Sequence, residues 1–299
     1  MGTEDKSVRK MPFYWVDAFT KTKLGGNPCA VVLDAEDLST EEMQSLAKEF
    51  NLSETAYLVR QSDGRYRARY FTITRELPFA GHPTISCAHV LASTNRVEGK
   101  VVLELPAGEF PVTIEAEGRG ITRSTMIQQA PKFMREYDRP QVARIFGLDP
   151  SELVPGVPVQ TVSTGNPVLM IPCSSQSAVR RARIGDEKAW EQLKAKGDFN
   201  FPFLFCLGGA TPKGTTFARL VGLASADAED PFTGSATGCM AAYLWNHGLI
   251  KGPSFIAEQG HFLGRPGEAE VGLVGEAKDI KGIAVSGAAV TLVSGHLEI

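Results

Sequence analysis

The sequence predicts an α+β protein with two pseudo-symmetric lobes, each a curved, mainly antiparallel sheet around a central apolar helix. Three observations predict this class: an internal duplication, short runs in which apolar and polar residues alternate, and one nearly all-apolar helical segment in each half. We place a flexible tail at 1–10, an N-terminal lobe at 11–127 and a C-terminal lobe at 128–299, with the terminal strand near 288–299 able to pack on the N-terminal lobe. The length of 299 residues is typical of about two domains.

The duplication rests on two pairs of similar segments that occur in the same order. The tripeptide GNP from Gly26 opens the apolar run CAVVL, and the same tripeptide from Gly165 opens VLMIP. Farther along, PFAGHPTISCAHVL from Pro78 and PFTGSATGCMAAYL from Pro231 are identical at six of fourteen positions. Because both pairs keep their order, we interpret them as the product of an internal duplication.

The remaining elements of the two halves also match. In the first half, Ser39 and Glu42 form a capping box that begins a helix, which Asn51 can end. In the second half, Asp186 begins a helix that Gly197 ends, and the apolar run FPFLFCL follows as a strand. Alternation predicts further strands in RYRARYFTI, KVVLELP, FPVTIE, AEVGLV and AAVTLVSG.

The two central helices are expected to begin near Pro83 and Ala236, immediately after Gly81 and Gly234. A helix that is apolar on all sides is buried. The first N–H groups of a buried helix need partners, and the helix dipole places partial positive charge there. Two such helix starts that face one cleft would bind a substrate carboxylate or a developing enolate. The alternative is ordinary side-chain capping by Ser235 or Thr84 with nothing bound.

Differences between the two copies predict which side chains carry chemistry. His82 in the first copy aligns with Ser235 in the second, and Leu77 aligns with Asp230. Only the second copy therefore has a carboxylate just before its glycine turn. A further carboxylate, Glu54, lies between a helix and a strand, where partial desolvation would raise its pKa and let it take up and return a proton.

The composition disfavours several classes of partner and site. The formal net charge is −3, from 31 basic and 34 acidic residues, so no basic face is expected to bind nucleic acid or an anionic membrane. The sequence contains no run of about 18 apolar residues, and its charged start is unlike a secretory signal, so we expect a cytoplasmic protein. The five cysteines are dispersed without metal-ligand spacing, which favours buried thiols over a disulfide framework or a zinc site.

From about Phe13 onward, the chain resembles the PhzF phenazine-biosynthesis family, which shares the diaminopimelate epimerase fold. The segments that match are VDAFT with GGNPCAVV, NLSETAYLV, TRELPFAGHPT, FARL, EDPFTGSATG, and EQG with GRP. The resemblance implies an isomerase that acts on 2,3-dihydro-3-hydroxyanthranilate or a similar small carboxylate. It further implies that no metal or organic cofactor takes part and that the protein forms a homodimer.

The resemblance also implies roles for individual residues. Glu54 would be the acid/base that moves the proton, with His82 and Asp230 as its proton-handling partners. Asn27 either binds substrate or only stabilises its turn. The residues expected to contact the substrate are Ser235, Gly81, Gly234, Asn27, Pro83 and Ala236.

The sequence departs from the family and from the related racemases at three places. The racemases use two cysteines directly before the paired glycines, and Ala80 and Thr233 stand there in this chain, which disfavours a two-thiol reaction. Pro83 replaces the commoner alanine, a change that suits the first turn of a helix. The segment LASADAED before the second glycine turn is unusually long and acidic, and we expect it to reshape the substrate entrance.

Two other functions fit the same residues. An epimerase of an amino or hydroxy acid could use Glu54 and Asp230 on opposite faces of one carbon. A binding or interaction protein could retain the fold without turnover. The joint presence of these two acids with His82 and Ser235 argues against the second alternative.

Overall fold

The computed structural model describes residues 8–118, 120–222 and 229–299. Within these ranges the chain forms seventeen strands and six α-helices, which confirms the predicted α+β class. The strands form one continuous network of hydrogen-bonded neighbours. None of the described helices combines the length and the apolarity that crossing a membrane requires.

The first half of the chain carries nine of the described strands and two of the helices. The strands are β1 (Lys10–Ala18), β2 (Asn27–Leu33), β3 (Glu54–Arg60), β4 (Tyr66–Phe71), β5 (Glu76–Leu77), β6 (Lys100–Leu105), β7 (Gly108–Gly118), β8 (Ile121–Gln128) and β9 (Lys132–Tyr137). The helices are α1 (Thr40–Phe50) and α2 (Gly81–Ser93).

The second half carries the other strands and helices. The strands are β10 (Val159–Ser163), β11 (Pro167–Pro172), β12 (Phe201–Leu207), β13 (Thr216–Val221), β14 (Glu229–Asp230), β15 (Ser254–Gln259), β16 (Gly267–Glu276) and β17 (Asp279–Glu298). The helices are α3 (Arg139–Ile145), α4 (Gln176–Arg181), α5 (Glu187–Lys196) and α6 (Gly234–Asn246), with short 3₁₀ turns at Pro150–Glu152 and His261–Leu263.

The predicted helix boundaries follow from capping. The Ser39 hydroxyl accepts from the Glu42 amide, and the Glu42 carboxylate accepts from the Ser39 amide, so the capping box of α1 is confirmed. Asn51 ends α1 in the left-handed region, with φ of 52°. The Asp186 side chain likewise accepts from Ala189 N at the start of α5. The short helices α3 and α4 were not predicted, because neither is long enough to show an apolar period.

Strand pairing repeats between the halves beyond the segments of visible sequence similarity. Strand β2 runs parallel to β3, as β11 does to β12, and β3 pairs antiparallel with β4, as β12 does with β13. Strand β4 then pairs with β5 and β6, as β13 pairs with β14 and β15. Each half therefore follows the same path into its central helix and out of it.

The long strand β17 connects the two halves. It pairs with β16 over its first part, and its residues Ile283 to Val290 pair with β8. Its last part, from Ala289 to Glu298, pairs antiparallel with β1 at the start of the chain. The strand that precedes Asn27 is therefore held by the end of the chain.

The central helices α2 and α6 are buried, as predicted. Every residue from Gly81 to Leu91 and from Gly234 to Trp245 is inaccessible to solvent or nearly so. Both helices belong to one apolar core that draws residues from the two halves. Two smaller cores lie under α1 and under α3 to α5. Burial of both helices in a shared core brings their first turns together.

Candidate active site

The first turns of α2 and α6 approach each other at two glycines. A Cβ built on Gly81 would lie 3.0 Å from Ser235 N and 3.1 Å from Gly234 Cα. These neighbours are backbone atoms, so any larger residue at position 81 would push the two helix starts apart. Both helices begin at the glycine itself, two residues earlier than predicted.

Neither helix start carries a side-chain cap. The N-cap residues are Ala80 and Thr233, and neither makes a capping hydrogen bond. Thr84, which could have been a cap, instead donates to the Ala80 carbonyl at 2.8 Å. Thr237 donates to the Thr233 carbonyl in the same way, at 3.0 Å. The capping alternative is therefore wrong, and the positive ends of the two helix dipoles meet without a side-chain cap.

Glu54 lies at the edge of this meeting point. It is the first residue of β3, directly after α1, and its Oε2 atom is buried although the side chain as a whole retains 17% exposure. Oε2 lies 3.2 Å from His82 Nε2, but the alignment of the two groups does not form a hydrogen bond. Burial, followed by the nearby Asp230 charge, raises the pKa of the Glu54 carboxyl well above its usual range.

His82, the second residue of α2, is a neutral imidazole in this site. Burial lowers its pKa to about 3. Its Nδ1 atom lies 3.1 Å from the Asn27 side-chain nitrogen, which is a donor, so Nδ1 accepts. The hydrogen-bond network therefore assigns the imidazole proton to Nε2, the atom that faces Glu54.

Asn27, the first residue of β2, connects the two halves. Its side-chain nitrogen lies 2.8 Å from both Asp230 Oδ1 and the Phe232 carbonyl, so its two protons are shared among these two acceptors and His82 Nδ1. The opposite amide orientation would place an oxygen against this carboxylate and this carbonyl, which fixes the assignment. Asn27 is fully buried, so its amide nitrogen contacts His82 and Asp230 instead of facing an open cleft.

Asp230, at the end of β14, accepts hydrogen bonds from three side chains. Besides Asn27, Thr233 donates to Oδ2 and Ser53 donates to Oδ1 at 3.3 Å. Burial raises the pKa of Asp230 to about 6, while these hydrogen bonds lower it. Asp230 therefore has hydrogen bonds that oppose the effect of burial, whereas burial and the Asp230 charge both raise the pKa of Glu54.

Gln259 organises the turn between Asp230 and α6. Its Nε2 donates to the Asp230 carbonyl at 2.8 Å, and its Oε1 accepts from Thr233 N at 3.0 Å. The sequence analysis did not identify Gln259, Ser53 or Thr233 as residues of this site. The segment EQG could have pointed to this turn, because its glycine has a structural reason. Gly260 has a φ of 85°, and a Cβ at this position would lie 2.6 Å from the Pro231 carbonyl oxygen.

The GRP segment holds the loop that leads to Asn27. Arg265 donates to the carbonyls of Gly25 and Gly26, each at 2.9 Å. It also pairs with the fully buried Asp17 at 2.7 Å. Residues from the C-terminal half thus position the first strand of the site.

Three further predicted residues lie in the first turns of the central helices, whereas the counterpart of Asn27 lies elsewhere. Ser235, Pro83 and Ala236 are buried within the first turns of the two helices. Asn166, the counterpart of Asn27, pairs near the surface with Asn200 and does not reach the site. The segment LASADAED lies mostly outside the described residues, and its expected effect on the entrance stays a prediction.

The thiols of the two central helices are buried in the core. Cys87 and Cys239 are buried inside α2 and α6, and burial raises the pKa of both thiols. In the described ranges, no three His, Cys, Asp or Glu side chains are grouped closely enough to hold a metal ion.

Phe19 separates the paired glycines from a neighbouring cavity. Its ring stacks on Phe232 with centroids 4.3 Å apart, and its Cζ would lie 2.8 Å from a Cβ on Gly234. On its other side is a cavity of about 460 Å³ whose lining includes Glu258 and His261. Glu54, His82 and Asp230 do not line that cavity.

The family model described as phenazine biosynthesis-like protein, PhzC-PhzF, matches residues 16–295. The chain belongs to this family. The uncharacterized isomerase YddE of Escherichia coli K12 is 32% identical to this PhzF-family protein over 293 residues, which cover 95% of this chain and 97% of YddE. The trans-2,3-dihydro-3-hydroxyanthranilate isomerase of Pseudomonas aeruginosa is 31% identical over 275 residues, which cover 91% and 94% of the two chains.

Solved structures agree with the family and the fold. The Bacillus anthracis phenazine biosynthesis protein of the PhzF family matches with a TM-score of 0.84 and 27% identity, over 97% of this chain and 100% of that one. A hydroxyproline epimerase from Agrobacterium vitis matches with a TM-score of 0.67 and 12% identity, over 97% and 91%, which shows the shared fold alone. The predicted resemblance is confirmed, and this PhzF-family protein is an enzyme of the isomerase type.

Proposed function

We propose that this PhzF-family protein is a cofactor-independent isomerase that moves a proton within a small cyclic or aromatic-like carboxylate, such as a dihydro-hydroxyanthranilate. One observation carries the proposal: Glu54 Oε2 lies 3.2 Å from His82 Nε2, beside two helix starts that lack side-chain caps. A proton-transfer group is thus adjacent to a place suited to negative charge.

In the proposed reaction, ionised Glu54 removes a proton from a substrate carbon and returns it to another carbon of the same molecule. The raised pKa of Glu54 makes it a stronger base than an exposed glutamate. The Nε2 proton of neutral His82 can hydrogen-bond to Glu54 while the Glu54 carboxylate is ionised. The charge that develops on the substrate is stabilised by the first N–H groups of α2 and α6, because they are already oriented before the reaction begins.

The proposal is tested by incubating the protein with 2,3-dihydro-3-hydroxyanthranilate and with a panel of aromatic and cyclic carboxylates in deuterated water. We expect at least one compound to be converted to an isomer with a shifted double bond, and proton NMR would detect this conversion. Glu54→Gln should stop the conversion and retain binding measured by calorimetry. Binding of these compounds without conversion or exchange would overturn the proposal and favour a protein that only binds ligand.

An epimerase that uses Glu54 and Asp230 is the second candidate, because burial raises the pKa of both carboxyls. Deuterium would then enter at one stereocentre while the double bond stays in place. The three side chains that donate to Asp230 favour the isomerase, since they leave this carboxylate less free to abstract a proton.

A further inference from the structure

Arg219 and Glu229 form a nearly buried ion pair directly before Asp230. Arg219 Nε lies 2.9 Å from Glu229 Oε1, and one terminal nitrogen lies 2.7 Å from Oε2, so the pair is bidentate. The two side chains are 14% and 7% exposed. The other terminal nitrogen of Arg219 donates to three carbonyls at the end of α4, which fixes the guanidinium on the second half of the chain.

The first half contains the same ion pair in an equivalent place. Arg69 holds Glu76 through two bonds of 2.7 and 2.6 Å. The strand registers also match, because Leu77 lies opposite Tyr70 in the first half, as Asp230 lies opposite Leu220 in the second. The two ion pairs therefore differ in one respect that matters for chemistry. Glu229 is followed by an acidic residue, Asp230, whereas Glu76 is followed by Leu77.

We propose that Arg219 is a positioning residue for the reaction: by neutralising Glu229 and anchoring its strand, it keeps Asp230 in place and ionised beside Glu54. The inference rests on the proposed function, in which Glu54 is the base. Arg69 performs only the anchoring half of this role, since no carboxylate follows Glu76.

The charges around Asp230 explain why neutralisation matters. Glu54 faces Asp230 from β3, neutral His82 reaches the same network from α2, and Glu229 precedes Asp230 on β14. The charge of Glu229 raises the pKa of Asp230. The guanidinium of Arg219, which pairs with Glu229, would offset that charge. In a nearly dry site these effects are weakly screened.

The ionisation of Asp230 also affects Glu54, the proposed base. An ionised Asp230 is one of the two causes that raise the pKa of Glu54, the other being burial. Loss of Arg219 would leave Glu229 unpaired, promote protonation of Asp230 and reduce the influence of Asp230 on Glu54. A residue that never touches the substrate would thus set the pH at which the base becomes active.

The test is a carbon-13 NMR titration of the aspartate carboxyls, with the Asp230 signal assigned by its loss in Asp230→Asn. We expect Arg219→Gln to raise the pKa of Asp230 by about one unit, a tenfold change in its acidity. Arg69→Gln removes the equivalent ion pair and is expected to leave the Asp230 signal unchanged. Arg219→Lys keeps the positive charge and should return the titration close to that of the unmodified protein.

A second variant covers the case in which Arg219→Gln fails to fold. Glu229→Gln removes the neighbouring negative charge and should lower the pKa of Asp230. The inference is overturned if Glu229→Gln causes no shift, or if Arg69→Gln and Arg219→Gln shift Asp230 equally. The titration needs no turnover, so a shift in a protein that converts none of the carboxylates would sink the proposed function and leave standing only the effect of Arg219 on the pKa of Asp230. Conversion of a carboxylate without a shift in the pKa of Asp230 would support the proposed function and overturn the role of Arg219.

Discussion

The Nε2 atom of His82 lies 3.2 Å from Oε2 of Glu54, although these residues come from a helix and a strand. The opposite ring nitrogen of His82 faces the donor nitrogen of Asn27, so the imidazole proton belongs on the side of Glu54. The carboxyl of Glu54, whose pKa is raised, and the Nε2 proton of the neutral His82 imidazole therefore face each other at one edge of the paired helix starts.

Glu54→Gln keeps the size of the side chain and removes its acid/base function. We expect turnover to fall by about 10²- to 10⁴-fold, the usual contribution of a general acid/base. Ligand affinity should change little, because the helix starts are intact. Turnover is followed by NMR and affinity by calorimetry, with Glu49→Gln on the exposed side of α1 as the matched control. A Glu54→Gln protein with near-normal turnover would refute the assignment of the base.

The pH dependence of turnover should report the influence of Asp230 on Glu54. Glu54 acts when deprotonated, so activity rises with pH through its pKa, which lies above the usual range. Asp230→Asn removes one cause of that increase, and the acidic limb of the profile should move to lower pH. Asp63→Asn, in an exposed turn, is the control and should leave the limb in place. An unmoved limb in Asp230→Asn would show that the two acids are not coupled.

Asn27→Ala removes a donor shared by three acceptors in the site. We expect the free energy of unfolding to fall by about 1–3 kcal/mol, because buried acceptors lose their partner. Turnover should fall by more than ligand affinity, since His82 and Asp230 lose their positions while the helix starts remain. The control is Asn166→Ala in the equivalent tripeptide, where the side chain pairs only near the surface. Equal loss of turnover in the two variants would contradict the positioning role.

Gly81→Ala should separate the starts of α2 and α6. The new methyl group would lie 3.0 Å from Ser235 N, where a backbone atom has to move. Overpacking of this kind costs about 1–3 kcal/mol, and carboxylate affinity should fall at least tenfold. In Gly252→Ala the nearest atom lies 3.5 Å away, so both quantities should stay nearly constant. Unchanged carboxylate affinity in Gly81→Ala would remove the helix starts from the binding site.

His82 should also make the fold sensitive to acid. Its pKa falls from 6.5 in the unfolded chain to about 3 in the fold, so its contribution is complete above pH 6.5 and is lost as the pH falls toward 3. At pH 5 the loss amounts to about 2 kcal/mol. Denaturant unfolding at pH 7.5 and pH 5 should show a smaller acid penalty for His82→Gln than for the unmodified protein. His296→Gln, at an exposed position, should retain the full penalty.

Several features of this protein could be predicted from the sequence because they depend on neighbours a few residues apart. The capping box of α1, the apolar character of α2 and α6, and the duplicated glycine turns are all local patterns. Register supports the alignment of Leu77 with Asp230, since each occupies the same place in its strand pair. The α+β class followed from these patterns, and the family followed from the resemblance of segments such as NLSETAYLV and EDPFTGSATG.

The arrangement of the site was decided by tertiary structure. Asn27 and Asp230 are 203 residues apart in the chain, and they meet because α2 and α6 share one core and the end of β17 pairs with β1. The sequence could not show that Asn27 supports His82 while its counterpart Asn166 does not, since both occur in identical tripeptides. Local patterns determine which elements form, whereas long-range strand pairing and burial determine which side chains meet and which carboxyls have a raised pKa.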